Sequence, residues 1–157
     1  MSVFDWSTRP AANAVADAGV PALDGASARE LPGLVRDLMA AFASYVGDQG
    51  GAIQTGGIFN AYVARTASGV RALRPGIAVL VQADRDNTDA PTLNVDGTGA
   101  RPWLDLDGSA PPYGAVRAGA FYLAIASGPG WVSDFGGFAR SDAEDAAFTA
   151  ALIFGGN

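Results

Sequence analysis

Carboxylates are the only reactive groups this sequence offers in number. It has sixteen Asp and Glu against ten basic residues, all Arg, and no His, Cys or Lys. Glycoside cleavage would need two carboxyls flanking a sugar cleft, one with a raised pKa. Asp105 and Asp107 fall on one side of a strand end by alternation and are the pair for that work. The competing reading is an ordinary strand end and turn. Asp84, Asp86 and Asp89 with Asn87 suggest a calcium loop. In an EF-hand frame begun at Asp84, however, Asp89 stands where Gly is needed and Val95 where Glu is needed. A solvated turn before Thr92 explains these residues more simply. Ser27, in Gly25-Ala26-Ser27-Ala28-Arg29, lacks the closing Gly of a nucleophile elbow, and no His can act as its base. Gly50-Gly51 and Gly56-Gly57 resemble phosphate loops in composition alone, since neither leads into a helix with Lys. The expectation is a protein without enzymatic activity, cofactor or metal.

Binding chemistry has more to draw on. Trp6, Trp103, Trp131, Tyr62, Tyr113 and Tyr122 could line a glycan platform, although aromatic residues at alternate strand positions are more often core. Tyr113, beside Pro111-Pro112, is the candidate glycan contact. Arg29 and Arg36 sit seven apart on roughly one helix face, and Arg9 lies near the start of the chain. They could pair acids on a partner or serve as surface charge. The net charge of −6 argues against nucleic-acid binding. Gly76–Val81 and Ala118–Ala126, the longest near-continuous apolar runs, are far short of the roughly 20 residues a membrane span needs. Met1 to Pro10 has no basic stretch followed by an apolar one, so synthesis and first folding in a cytoplasm are expected.

Three zones must position these residues. A length of 157 with 49% hydrophobic residues suits one folded domain. Residues 1–50 read as a docking arm and a helix. The arm, to about Ala28, reads as extended, and Phe4 and Trp6 are costly to leave in water. Leu31, Leu34, Val35, Leu38, Met39, Phe42, Tyr45 and Val46 form one stripe at helical spacing. Pro32 suits the first turn, and Gly47, Gly50 and Gly51 close a helix of about four turns.

Residues 51–138 switch to a period of two. Strands are expected at Ile58–Thr66, Ile77–Gln82, Thr92–Val95, Arg101–Leu106, Phe121–Ala126 and Trp131–Phe135, with a hairpin turn at Asp96-Gly97. A weak echo links Gly69-Val70-Arg71-Ala72 to Ala115-Val116-Arg117-Ala118, each leading through a Gly turn into a buried-looking strand, as two arms of one sheet system. Residues 139–157 open with Ser141-Asp142-Ala143-Glu144, a capping-box pattern before a short helix that carries Phe148, Leu152 and Phe154. The fold class expected is mainly β with flanking helices: a small β-sandwich or barrel preceded by an extended arm and one helix, with a short C-terminal helix.

The order of several pieces resembles the N-terminal region of phage tail-fibre and spike proteins, including head-spike and fibre components of phage-like gene transfer agents. Those pieces are Trp6-Ser7-Thr8 with Asn13 and Asp17, Ser27-Ala28-Arg29 opening a helix with Met39-Ala40-Ala41, and Gly56-Gly57 with Asn60-Ala61-Tyr62. The strongest is Asn87-Thr88-Asp89-Ala90-Pro91-Thr92-Leu93-Asn94-Val95-Asp96-Gly97-Thr98-Gly99-Ala100-Arg101-Pro102. Gly119-Ala120-Phe121-Tyr122 and Pro129-Gly130-Trp131-Val132 follow. Pro32-Gly33 departs from the usual helix start, as does the detail of the arm. The resemblance implies a virion structural protein, an adaptor or spike base assembled in the bacterial cytoplasm. It implies other virion proteins as partners, at a capsid vertex or tail baseplate and at a distal fibre, in trimeric or pentameric copies. Phe4, Trp6, Arg9, Arg29, Arg36, Phe148, Leu152 and Phe154 are its partner-binding candidates. The alternative is a carbohydrate-binding module that contacts the host surface.

Overall fold

The computed structural model describes residues 3–7, 9–14, 27–128 and 130–136. The expected C-terminal helix with Phe148, Leu152 and Phe154 lies outside them. The first segment differs from an extended arm where it is described: Val3–Asp5 and Pro10–Asn13 are short 3-10 helices. Asn13 ties them together, its Oδ1 accepting the Ser7 N–H at 2.6 Å and its Nδ2 donating to the Ser7 carbonyl at 2.8 Å.

Helix α1 spans Leu31–Gln49, longer than expected, because Gly47 is carried through and Gly50 ends it. A preceding turn is held by Glu30, whose carboxylate accepts the Ser27 N–H at 2.8 Å. That is half of a capping box in Ser27-x-x-Glu30.

The chain then forms a mainly β body of eight strands: β1 Ile53–Gln54, β2 Gly56–Ile58, β3 Ala61–Ala64, β4 Ala78–Gln82, β5 Thr92–Val95, β6 Arg101–Leu104, β7 Phe121–Ala126 and β8 Trp131–Val132. Their order is β1-β4-β7-β8-β6-β5-β3-β2. The terminal strands of this sheet, β1 and β2, are consecutive in the chain with only Thr55 between them. The sheet therefore curls into a nearly closed barrel. β6 changes neighbours midway, with Arg101 and Pro102 against β5 and Trp103 and Leu104 against β8.

Alternation decides what faces inward. In β7 every second residue, Tyr122, Ala124 and Ala126, is buried. β3, β4 and β5 follow the same rule. Trp103 is fully buried at the centre, edge-on to Tyr62, Tyr122 and Phe135 at centroid distances of 5.3, 5.7 and 5.3 Å. Its indole N–H donates to Ser133 Oγ at 2.8 Å, and that hydroxyl donates to the Leu123 carbonyl. Tyr62, Tyr122 and Trp131 are thus core residues rather than a glycan platform.

The Asp96-Gly97 turn forms as expected. Both residues have positive φ, 52° and 74°, and the Thr98 N–H closes onto the Val95 carbonyl at 3.0 Å. The echo of Val70 and Val116 also has a structural counterpart. β4 and β7 pair antiparallel, and their approaches bond in matching ways. The Gly76 N–H donates to Ala126 O as the Gly119 N–H does to Ala83 O. The Ala126 N–H donates to Ile77 O as the Ala83 N–H does to Ala120 O.

Candidate docking surfaces

The acidic clusters are committed to partners within the fold. Asn87 is fully buried. Its Oδ1 accepts the Val116 N–H at 2.9 Å, and its Nδ2 donates to the carbonyls of Asp89 and Pro112. Asp86 accepts the Ala118 N–H at 2.7 Å. Asp84 bonds Thr55, whose hydroxyl donates at 2.7 Å, and pairs with Arg85. Burial alone would raise the Asp84 carboxyl, but the hydrogen bonds from Arg85 and Thr55 outweigh it and hold the group below 3.8. Among the described residues no three acids, His or Cys gather as a metal site would require.

Asp105 accepts the Leu106 N–H at 2.8 Å, and Asp107 accepts the Ser109 N–H at 2.8 Å. The Ser109 side chain and backbone keep Asp107 below the usual carboxylate range. A general acid would need the opposite shift. Burial pushes the Tyr62 phenol up to about 12, with nearby Arg85 opposing it. Its hydroxyl donates to the Arg85 carbonyl at 3.1 Å, and the Arg85 guanidinium lies 5.8 Å from its ring centroid.

Exposed apolar side chains gather in two places. The first is α1 with the outer face of β7. On α1 the buried positions are Ala41 and Asp48, and Leu34 and Tyr45 are half-buried. Leu31, Val35, Leu38, Met39, Phe42 and Val46 are exposed, Met39 by 65% and Phe42 by 59%. The stripe read from the sequence therefore turns only its edge toward the barrel. Asp48 fixes this rotation, because its carboxylate accepts the backbone N–H of Ala67 at 2.8 Å and of Ser68 at 2.9 Å. Beside the helix, Phe121, Leu123 and Ile125 point outward from β7. The two surfaces meet where the helix ends: a Cβ built on Gly51 would lie 3.0 Å from the Phe121 ring and 3.4 Å from Leu80, and Leu80 is paired with Leu123.

The second place is the β2–β3 turn. Ile58 is 69% exposed and Phe59 80%. Phe59 has φ +47°, an outlier for a bulky residue. The turn is held from behind by Asn60, whose Oδ1 accepts the N–H groups of Thr88 and Asp89 at 2.8 and 3.1 Å. Gly57 permits the close strand crossing, since a Cβ there would sit 2.1 Å from the Ala61 carbonyl oxygen. The 87–89 loop also holds residues 112–114, with the Gly114 N–H donating to the Asn87 carbonyl. Tyr113, 75% exposed, is therefore at the same end as Phe59. Because β3 runs from this turn to Ala64 and on to the 66–68 loop tied to Asp48, that end lies opposite the one that anchors α1.

The other candidates from the sequence fall as follows. Phe4 packs on the core and meets the Tyr45 ring edge-on at 5.7 Å. Trp6 is half-buried, while Arg9, Arg29 and Arg36 are exposed. A cleft of about 870 Å³ opens between residues 63–71 and 94–98, lined in part by Arg65, Thr66, Asn94 and Asp96. Phe59 was missed from sequence, because a Phe-Asn turn carries no glycine to announce it. Searches for related proteins match this sequence to no family model and to no curated protein.

Proposed function

We propose that this chain is a structural component of a phage-like particle, an adaptor or spike base that works by protein–protein contact. The observation that carries the reading is the pair of exposed apolar surfaces on one barrel, one around α1 and β7 and one at Phe59, whose turn lies at the end opposite the loop that anchors α1. Single exposed apolar residues are ordinary, but contiguous sets mark contact sites. An adaptor needs two such places and a body that keeps their separation. The interior around Trp103 supplies the body.

In this reading the N-terminal segment and α1 face the particle or neighbouring subunits, with Arg9, Arg29 and Arg36 as exposed charges for acidic partners. The Phe59 end holds the next component, such as a fibre. The resemblance to tail-fibre and spike proteins points the same way, and the particle would be assembled in the bacterial cytoplasm. Deleting residues 1–26 in particle-producing cells and blotting purified particles tests the proposal. Loss of the chain from particles supports it, and unchanged incorporation overturns it.

One observation favours a second reading, a carbohydrate-binding module: the exposed Tyr113 shares an end with Phe59. Calorimetric titration of the isolated protein with glycans separates the two. Affinity lost in Tyr113→Ala would favour sugar recognition.

A further inference from the structure

We infer that the exposed stripe of α1, with the outer face of β7, is a self-association surface that joins copies of this chain through their first helices. This deepens the assembly reading by naming the partner as a second copy, and it rests on that reading only for its biological setting.

Spacing is the first argument. The exposed Leu31, Val35, Leu38 and Phe42 follow steps of four, three and four, which is the alternation of d and a positions in a heptad. Tyr45 and Gln49, both half-buried, continue the series. Met39 and Val46 occupy the adjoining e positions and widen the seam beyond that of a simple helix pair. The last two members also face inward, Tyr45 against the Phe4 ring and Gln49 donating to the Ala78 carbonyl at 2.5 Å, so the free part of the 3.5-residue period is Leu31 to Phe42, which matches a partner helix of the same pitch.

Charge is the second argument. The charged residues of α1 are Arg36, Asp37 and Asp48. None stands in the stripe, and Asp48 is buried against the barrel. Identical chains each carrying −6 repel one another, so they can meet closely only through a charge-free patch.

Area is the third. Six residues of α1 and three of β7 are each 40–65% exposed. Together they present on the order of 800 Å² of apolar side chain, which matches one partner's share of a stable interface. A strand-and-helix corner of this size exceeds the patches that monomers usually leave in water.

The absence of cysteine gives a clean test. Leu38 lies at the middle of the stripe, so it faces its own copy whether the helices run parallel or antiparallel. Full-length Leu38→Cys should form disulfide-linked dimers on mild oxidation, several-fold faster than Ala40→Cys, which is exposed on the opposite side of α1. The wild-type chain should run as a defined oligomer in light scattering. The double variant Leu38→Glu, Phe42→Glu should run as a monomer with the near-ultraviolet signal of the Trp103 cluster intact. A monomeric wild type, or equal crosslinking at Leu38 and Ala40, overturns the inference. So does association that appears only after removal of residues 137–157, because the chain's own C-terminal segment would then be the occupant. The functional reading is judged separately, by incorporation into particles, and either can fail alone.

Discussion

The two ends of the barrel solve the same problem with different side chains. At the end that anchors α1, carboxylates gather backbone donors. Asp48 accepts from Ala67 and Ser68, and Asp96 accepts from Thr66 and Val70. At the Phe59 end, Asp86 still accepts the Ala118 N–H, but amides tie the loops to one another. Asn87 accepts from Val116 while donating to Asp89 and Pro112, and Asn60 accepts from Thr88 and Asp89. Even the echoed valines follow the division, with the Val70 N–H on Asp96 and the Val116 N–H on Asn87. A carboxylate can only accept, so it suits a loop whose N–H groups converge. An amide can accept and donate, so it can tie three loops that present both kinds of group. The end that displays Phe59 and Tyr113 is therefore cross-linked loop to loop, which holds exposed side chains in fixed positions.

Substitutions that exchange the two chemistries break this division in order of size. Asn87→Asp places a buried carboxylate against two carbonyls and should cost about 3–5 kcal/mol, measured by chemical denaturation. Asp48→Asn turns one acceptor into a donor facing an N–H and should cost about 1–3 kcal/mol, with α1 losing its fixed rotation. Hydrogen–deuterium exchange at Ala67 and Ser68 would report the loosening directly.

Asp84 sharpens the comparison by pH. Its carboxyl is depressed, so the stability it contributes is present above pH 3.8 and is lost as pH falls below that value. Asp84→Asn should flatten this acid limb in a denaturation series. The smallest effect is the most telling. Phe59→Gly relieves a positive φ and should stabilise the protein by roughly 1 kcal/mol. If the turn is a contact site, the same variant should weaken partner capture, so that stability and binding move in opposite directions.

Much of this architecture could be read in advance because its signals are local. β5 and β7 have the bounds that alternation implies, and the Asp-Gly turn lies where positive φ is easiest. β1 was invisible because two residues carry no period. Ile58–Thr66 reads as one strand, yet it breaks at Phe59 and Asn60, where tertiary bonds from Asn60 hold a turn whose positive φ falls on Phe59, a residue that disfavours it. The stripe on α1 was legible, but its direction was not. Which edge of a helix faces the body depends on Asp48, a buried charge that hydrophobic periodicity treats as surface. The extent of the exposed apolar surfaces was hidden for the same reason, since exposure is settled by neighbours distant in sequence.

The junction at Thr55 limits how anything can attach. The margins of the sheet, β1 and β2, offer only two and three residues each, and they run into one another without a gap. Among the described residues, these two margins give an incoming chain no long row of amides along which to lie as an extra strand. Short margins of this kind favour recognition through side chains standing off the wall over the edge-to-edge stacking of identical molecules.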